Sequence, residues 1–282
     1  MKAVACKAVA VGDNCIDNYL APINRRFVGG NAVNVAVALR RHGIATAYVG
    51  AVGEDDYGRL ILDALRAEDI DVSMVQVLSG VTGYTDVTLK DGDRIIGHEE
   101  LGVMRDFKLD ERTLDFIVGH RLVHNTLLGQ TAPYLRRFKE AGMCVSFDYS
   151  EMRDEAFLSS TLPYVDIAFV SLPGAEWENA MQLATALTTR GPSLAVVTMG
   201  AAGSVASDGK NTWYQVALPV ARLVDTLGAG DAFIGTFLAY YLRQEPVHIA
   251  LREAARYASR TCTHLGAWVA GEGGEYDQGI HL

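Results

Sequence analysis

D-T-L-G-A-G-D-A-F-I-G-T-F, residues 225–237, is the stretch whose reading decides the fold. Gly228 and Gly230 flank Ala229, and the pattern predicts a turn entering an amphipathic helix at about Gly230. A glycine-rich turn at a helix start lets consecutive backbone N–H groups converge on an anion, and the helix dipole adds to the attraction. Such donors suit the charge spread over a phosphoryl group in transfer. Asp231 falls in the first helical turn, where the dipole favours an ionised carboxylate. Phosphate beside a carboxylate is ordinarily avoided. The pairing makes sense where the acid takes a proton from an attacking hydroxyl. On residue types alone, an acid capping a helix start is the commoner explanation.

Working outward, short apolar runs alternate with helical patterns. A-V-A-V-G-D (8–13), A-Y-V-G-A-V-G (47–53), R-L-V-H-N-T (121–126), M-C-V-S-F-D (143–148), V-D-I-A-F-V-S (165–171) and L-A-V-V-T-M-G (194–200) read as buried strands. Helical patterns fall at 30–43, 57–68, 131–141 and 175–190. This order predicts a mainly parallel sheet with helices on both faces. Residues 81–99 break the rhythm and read as two alternating strands joined by a D-G turn. Such a hairpin is either a lid or an extension of a sheet edge. Residues 204–224 read as a second strand pair. The tail from Val269, with four glycines and three acids, reads as a loose extension. No repeat or linker divides the chain, so one domain over 1–282 is expected, with a small lid from about 14–28 and 81–101.

Composition excludes several classes. The net charge is −9, with both signs mixed along the chain and no basic stripe for a nucleic acid. No apolar run is long enough to span a bilayer, and the N-terminus lacks a signal-peptide pattern. Cys6, Cys15, Cys144 and Cys262 are scattered, which argues for reduced thiols in a cytoplasm rather than zinc or disulfides. There is no G-x-x-x-x-G-K-[ST], and no G-x-G-x-x-G at a strand-to-helix turn.

The 225–233 segment resembles the C-terminal signature of the ribokinase/PfkB sugar kinases, and F-V-G-G-N-A-V-N-V-A-V-A-L-R-R-H-G (27–43) resembles their N-terminal one. The resemblance implies a ribokinase-like three-layer α/β/α domain with a mainly parallel sheet and a β-hairpin lid. It also implies an ATP-dependent carbohydrate kinase. Gly228, Ala229 and Gly230 would form the anion hole, and Asp231 would be the base. V-V-T-M-G-A-A-G-S (196–204) makes Thr198, Gly200 and Gly203 candidate ATP contacts. H-L-G-A-W (264–268) places Gly266 and Ala267 near the adenine. Magnesium would accompany ATP, and a monovalent cation such as K⁺ would sit near Asp225–Leu227.

Two patterns depart from the family. Where N-x-x-E is usual, this chain has S-L-P-G-A-E, leaving Glu176 as a possible metal-organising substitute. D-x-N-x-R appears as D-Y-S-E-M-R, which keeps Asp148 and displaces Arg153 by one place.

At the sugar end, G-D-N-C-I-D (12–17) resembles the family's G-x-x-x-x-D, which implies a hydroxyl-binding carboxylate at Asp17, and Asn34 aligns with a family amide that bonds sugar hydroxyls. Gly29 and Gly30 allow close backbone approach and a lid hinge. Nearly the whole chain resembles the fructoselysine 6-kinase branch, which phosphorylates a fructose carrying an amino acid on nitrogen. An ammonium group in such a ligand suits Asp13, Glu99 and Glu100, and its carboxylate suits Arg94. Charges on exposed strands are the competing explanation. A different acceptor, such as fructose, 2-keto-3-deoxygluconate or a nucleoside, stays open, as does a sugar-binding sensor without catalysis. A homodimer through the lid strands is a further expectation.

Overall fold

Side-chain alternation along the strands feeds two separate cores. In the first strand, β1 (Lys7–Val11), Val9 and Val11 pack on one side of the sheet and Ala8 on the other. The computed structural model describes residues 7–90 and 93–269. Cys6, the D-G turn at 91–92 and the tail beyond Val269 lie outside the described residues.

The chain continues through β2 (Cys15–Tyr19), β3 (Arg25–Gly29), α1 (Asn31–Arg41), β4 (Ala45–Val49), β5 (Ala51–Gly53) and α2 (Asp56–Ala67). β6 (Gln76–Leu78), β7 (Thr82–Lys90), β8 (Asp93–Gly102), α3 (Glu111–Val118), β9 (Leu122–Thr126), α4 (Leu135–Glu140) and β10 (Cys144–Asp148) follow. The remainder is α5 (Glu155–Thr161), β11 (Ile167–Ser171), α6 (Trp177–Thr188), β12 (Leu194–Thr198), β13 (Ser204–Ser207), β14 (Thr212–Gln215), α7 (Ala229–Leu242) and α8 (Val247–Thr261).

The central sheet has the order β14-β13-β12-β11-β10-β9-β1-β4. Its strands from β12 to β4 are parallel, and β13 and β14 add an antiparallel edge. Helices α3 to α6 cover one face through Leu114, Phe138, Leu158 and Ala184, and α1, α7 and α8 cover the other through Leu39, Phe237 and Leu251. This is the three-layer ribokinase-like architecture expected from the signatures.

Strand order reverses between β1 and β9. A crevice opens there at the carboxyl ends, because the chain leaves the two strands toward opposite sides. Over this crevice lies a second sheet of order β3-β2-β7-β8. Its root is tied by Asp55, which caps α2 through Gly58 N–H at 2.8 Å and also accepts from Thr82 N–H at 2.8 Å and Thr82 Oγ1 at 2.6 Å.

Three expectations are corrected. The 47–53 run is two strands, because the chain breaks at Gly50 and β5 pairs with β6 outside the central sheet. Of the two readings left open for the 81–99 hairpin, it pairs with β2 in the second sheet and does not extend the central sheet edge. Helix α7 is not amphipathic: Ala232 to Ala239 are all buried, since α1 and α8 cover opposite flanks. The 204–224 pair closes as β13–β14 but ends at Gln215.

Candidate active site

The crevice holds a cavity of about 260 Å³. β1 delivers Asp13 and Asn14, β2 delivers Cys15 and Asp17, and α1 delivers Asn31 and Asn34. From the opposite wall come Asp148, Ser171, Thr198 and the start of α7 with Gly228, Gly230 and Asp231. Arg94, Glu99 and Glu100 of β8 close the top. Asp13, Asp17, Gly30, Asn34, Arg94, Glu99, Thr198, Gly228, Gly230 and Asp231, far apart in sequence, therefore share one space.

Asp231 is half-buried, and Asn34 Nδ2 donates to its Oδ2 at 2.7 Å. Loss of solvent raises its pKa to about 7, against the lowering effect of that amide and of Arg94. The dipole argument predicted a carboxylate held firmly ionised; burial outweighs it. Asp17, 4% exposed, is also raised to about 7 by burial, with Cys15 Sγ donating to its Oδ1 at 3.3 Å. The Cys15 thiol is itself pushed well above its ordinary range by burial, so it is a poor nucleophile.

Asp13 lines the cavity with both oxygens engaged: Oδ2 accepts from Asn31 N–H at 2.8 Å and Oδ1 from Thr126 Oγ1 at 2.6 Å. The first of these satisfies a donor at the start of α1, where the N-cap Gly30 offers no side chain. Gly30 has φ 103°, and a Cβ there would lie 2.5 Å from Asn14 Cα. Gly29 sits opposite Cys15 on β3.

At the other end, the turn before α7 has Gly228 at φ 73°, where a Cβ would come within 2.2 Å of Ala267 Cβ. Ala229 and Gly230 are the first residues of α7, so their N–H groups have no partner within the helix. Thr198 Oγ1 faces Ser171 Oγ at 3.3 Å at the ends of β12 and β11. Gly200 and Gly203 bracket the turn after β12, which lies outside the cavity, as do Gly266 and Ala267 behind Gly228. Asp225 is wholly buried and accepts from Tyr19 Oη, Leu227 N–H and Gly266 N–H. Arg94 donates through Nη1 to the Thr226 carbonyl at 3.0 Å. Glu176 is exposed at the start of α6 and is not a cavity residue.

Two asparagines escaped sequence reasoning. Asn31 Nδ2 donates to Asp148 Oδ2 at 2.5 Å, and Asn14 Nδ2 donates to Tyr48 Oη at 2.8 Å and Ala51 O at 2.7 Å. In Asn14, Asn31 and Asn34 the buried Oδ1 atom lacks a partner among the described residues. Three acceptors without donors, beside carboxylates, suit a ligand rich in hydroxyls. N-x-x-N in the 31–34 stretch was the available signal for Asn31, since α1 repeats the same face after three residues.

A phosphate-type helix start, an acid beside it and a polyol-suited pocket define a phosphotransferase acting on a hydroxylated small molecule. The pfkB family carbohydrate kinase pattern matches residues 17–109 and 135–270. The chain belongs to that family and is a carbohydrate kinase, so the sensor alternative falls. It is 37% identical over 258 residues to the fructoselysine 6-kinase of Escherichia coli (strain K12), covering 92% of this chain and 98% of that one. It is 33% identical over 267 residues to a fructosamine kinase of Bacillus subtilis (strain 168), covering 93% of each. Ribokinase of Arabidopsis thaliana complexed with ribose and ATP has the same fold, with a TM-score of 0.82 at 23% identity over 94% of this chain and 95% of that one. Among the described residues, no helix is long and apolar enough to cross a membrane.

Proposed function

We propose that this kinase moves the γ-phosphoryl of ATP onto the 6-hydroxyl of a fructosamine such as fructoselysine, with Asp231 as general base. The observation that carries the reading is Asp231 itself, placed between the hydroxyl-suited pocket and the anion-binding start of α7. The two relatives described above bear names of fructosamine chemistry, which supports the acceptor.

Asp17 and the free Oδ1 atoms of Asn14, Asn31 and Asn34 accept the sugar's hydroxyl hydrogens. The attacking oxygen gives its proton to Asp231 and its lone pair to the γ-phosphorus, the bond to the bridging oxygen breaks, and ADP leaves. N–H groups of the 228–230 turn meet the developing charge. Thr198, which lines the cavity, and Gly200, Gly203, Gly266 and Ala267, which lie outside it, are assigned to the nucleotide on the strength of the family resemblance. Among the described residues no cluster of three or more His, Cys, Asp or Glu side chains exists to hold a metal. The donor set therefore fits magnesium that arrives on ATP phosphates, with one or two carboxylates at most.

Glu100 accepts from Gly102 N–H and Arg105, so Glu99, opposite Thr85 in register, is the lid acid assigned to the ligand's ammonium group. Arg94 remains the partner for a ligand carboxylate or phosphate. The β2-β3-β7-β8 sheet serves as the lid of a single domain over 1–282, closing to exclude water. Ile95 and Ile96 on the edge strand β8 are exposed, which supports a homodimer through this sheet. Cys15, Cys144 and Cys262 are unpaired, which supports a cytoplasmic site.

The test is an ADP-release assay with magnesium-ATP and fructoselysine, fructose, ribose, 2-keto-3-deoxygluconate or adenosine. Turnover confined to fructoselysine and lost in Asp231→Asn is expected. Equal turnover with plain fructose would remove the aminated acceptor.

A further inference from the structure

Tyr19 lies on β2 two residues beyond Asp17, so the strand's alternation sends both side chains to the same face. Asp17 belongs to the sugar pocket. Tyr19 is wholly buried, packs edge-on against Phe27 with ring centroids 5.2 Å apart, and joins Val87 in a small core that reaches Leu227 and Leu265. Its hydroxyl donates to Asp225 Oδ2, the oxygen that also accepts from Gly266 N–H at 2.9 Å. Leu227 N–H donates to Oδ1 at 2.9 Å. One rigid aromatic side chain thus ties the sugar-side sheet, the first residue of the phosphate turn and the 264–268 loop.

A monovalent cation at Asp225–Leu227 was expected from the resemblance. Such an ion needs a ring of oxygens free to replace its hydration shell. Here Asp225 meets an O–H and two N–H groups, and the Thr226 carbonyl already accepts from the Arg94 guanidinium at 3.0 Å and from Ala229 N–H at 3.3 Å. The neighbouring Cys262 carbonyl accepts from Val224 N–H at 2.9 Å and Asp225 N–H at 3.4 Å. These oxygens face donors and a resident positive charge, so the residues do not fit the ion.

We infer that Tyr19 is a positioning residue that holds the phosphate turn from the sugar-side sheet in place of a monovalent cation, so that phosphoryl transfer is independent of K⁺. The link also couples the two substrates: an Asp17 seated on sugar fixes the strand that sets the turn for ATP. This inference rests on the kinase reading above, but its test separates the two.

Rates with fructoselysine and magnesium-ATP are measured at constant ionic strength in K⁺, Na⁺ or tetramethylammonium chloride. They should agree within about twofold; stimulation by K⁺ of about fivefold or more overturns the inference. Melting with ADP present should show no K⁺-specific rise; a rise above about 2 °C in K⁺ alone overturns it too, since a bound ion stabilises by mass action. Tyr19→Phe keeps the ring and removes the donor. It should raise KM for ATP or lower kcat by about tenfold while fructoselysine affinity by calorimetry stays within about twofold. Unchanged kinetics, or a matching loss of sugar affinity and melting temperature, would mark Tyr19 as packing alone. Absence of turnover in every salt would defeat the kinase reading, and the melts and the ATP affinity of Tyr19→Phe would still decide this one.

Discussion

The ionisation of Asp231 is set by opposing effects, of which burial is the largest. The N-terminal dipole of α7 and the Asn34 amide favour the carboxylate, and burial disfavours it; burial prevails and leaves a pKa of about 7. A general base works best when its pKa lies near the working pH. As the proposed base, Asp231 must be ionised to act, so kcat should rise with pH through an ascending limb near 7. Asn34→Leu removes a donor that favours the ionised form, so the limb should move to higher pH, and a pH–rate profile of both proteins checks this. Asp231→Asn should lower kcat by roughly 10²–10⁴ with substrate affinity largely kept. A loss below tenfold, measured by single-turnover phosphoryl transfer, would assign the proton to another group. Asp148 is the residue to examine next, since burial also raises its pKa and it borders the same cavity.

Among the elements, legibility in the sequence followed local patterning. The parallel strands were plain because they are short runs of five residues, largely apolar and buried on both faces. Helix α7 was legible at its start, where Gly228 and Gly230 announce the turn, and misread along its length. An apolar helix between two others carries no polar face to reveal its period. β5 was hidden because Gly50 continues an apolar run while the backbone leaves the sheet. Asn14 and Asn31 were passed over because asparagine in a loop or at a helix start has many local uses. Their role appears only when β1, α1 and β10 bring them beside Asp148 and the cavity. The glycine at 228 had a steric meaning that the sequence alone did not disclose, namely the approach of Ala267 from 39 positions further along. Gly228→Ala combines a positive φ with that clash, so the turn must shift. Turnover should fall at least about tenfold, and the melting temperature by about 2–4 °C. Calorimetry should show ATP affinity falling while sugar affinity holds; an equal loss of both would place the damage in the whole fold.

On the scale of the whole molecule, the two carboxylates that burial raises to about 7, Asp17 and Asp231, oppose folding. Asp17 is 4% exposed with a folded pKa of about 7, above the unfolded value of 3.8. Below the unfolded value the carboxyl is protonated in both states and brings no penalty. As pH rises from there, the unfolded chain ionises first, so stability is lost progressively until the folded pKa is passed. Above about pH 7 the full penalty is present, on the order of 4 kcal/mol for a rise from 3.8 to about 7. The neutral isostere in Asp17→Asn should therefore remove a cost that grows with pH, while removing the carboxylate proposed to bind the sugar. Melting curves from pH 4.5 to 8 should show the variant close to wild type at the acid end and about 7 °C more stable at the alkaline end. A constant difference across that range would mean that the substitution acts through packing beside Gly29 rather than through charge. A variant that is less stable at pH 8 than wild type would show Arg94 and the Cys15 thiol compensating the buried charge fully.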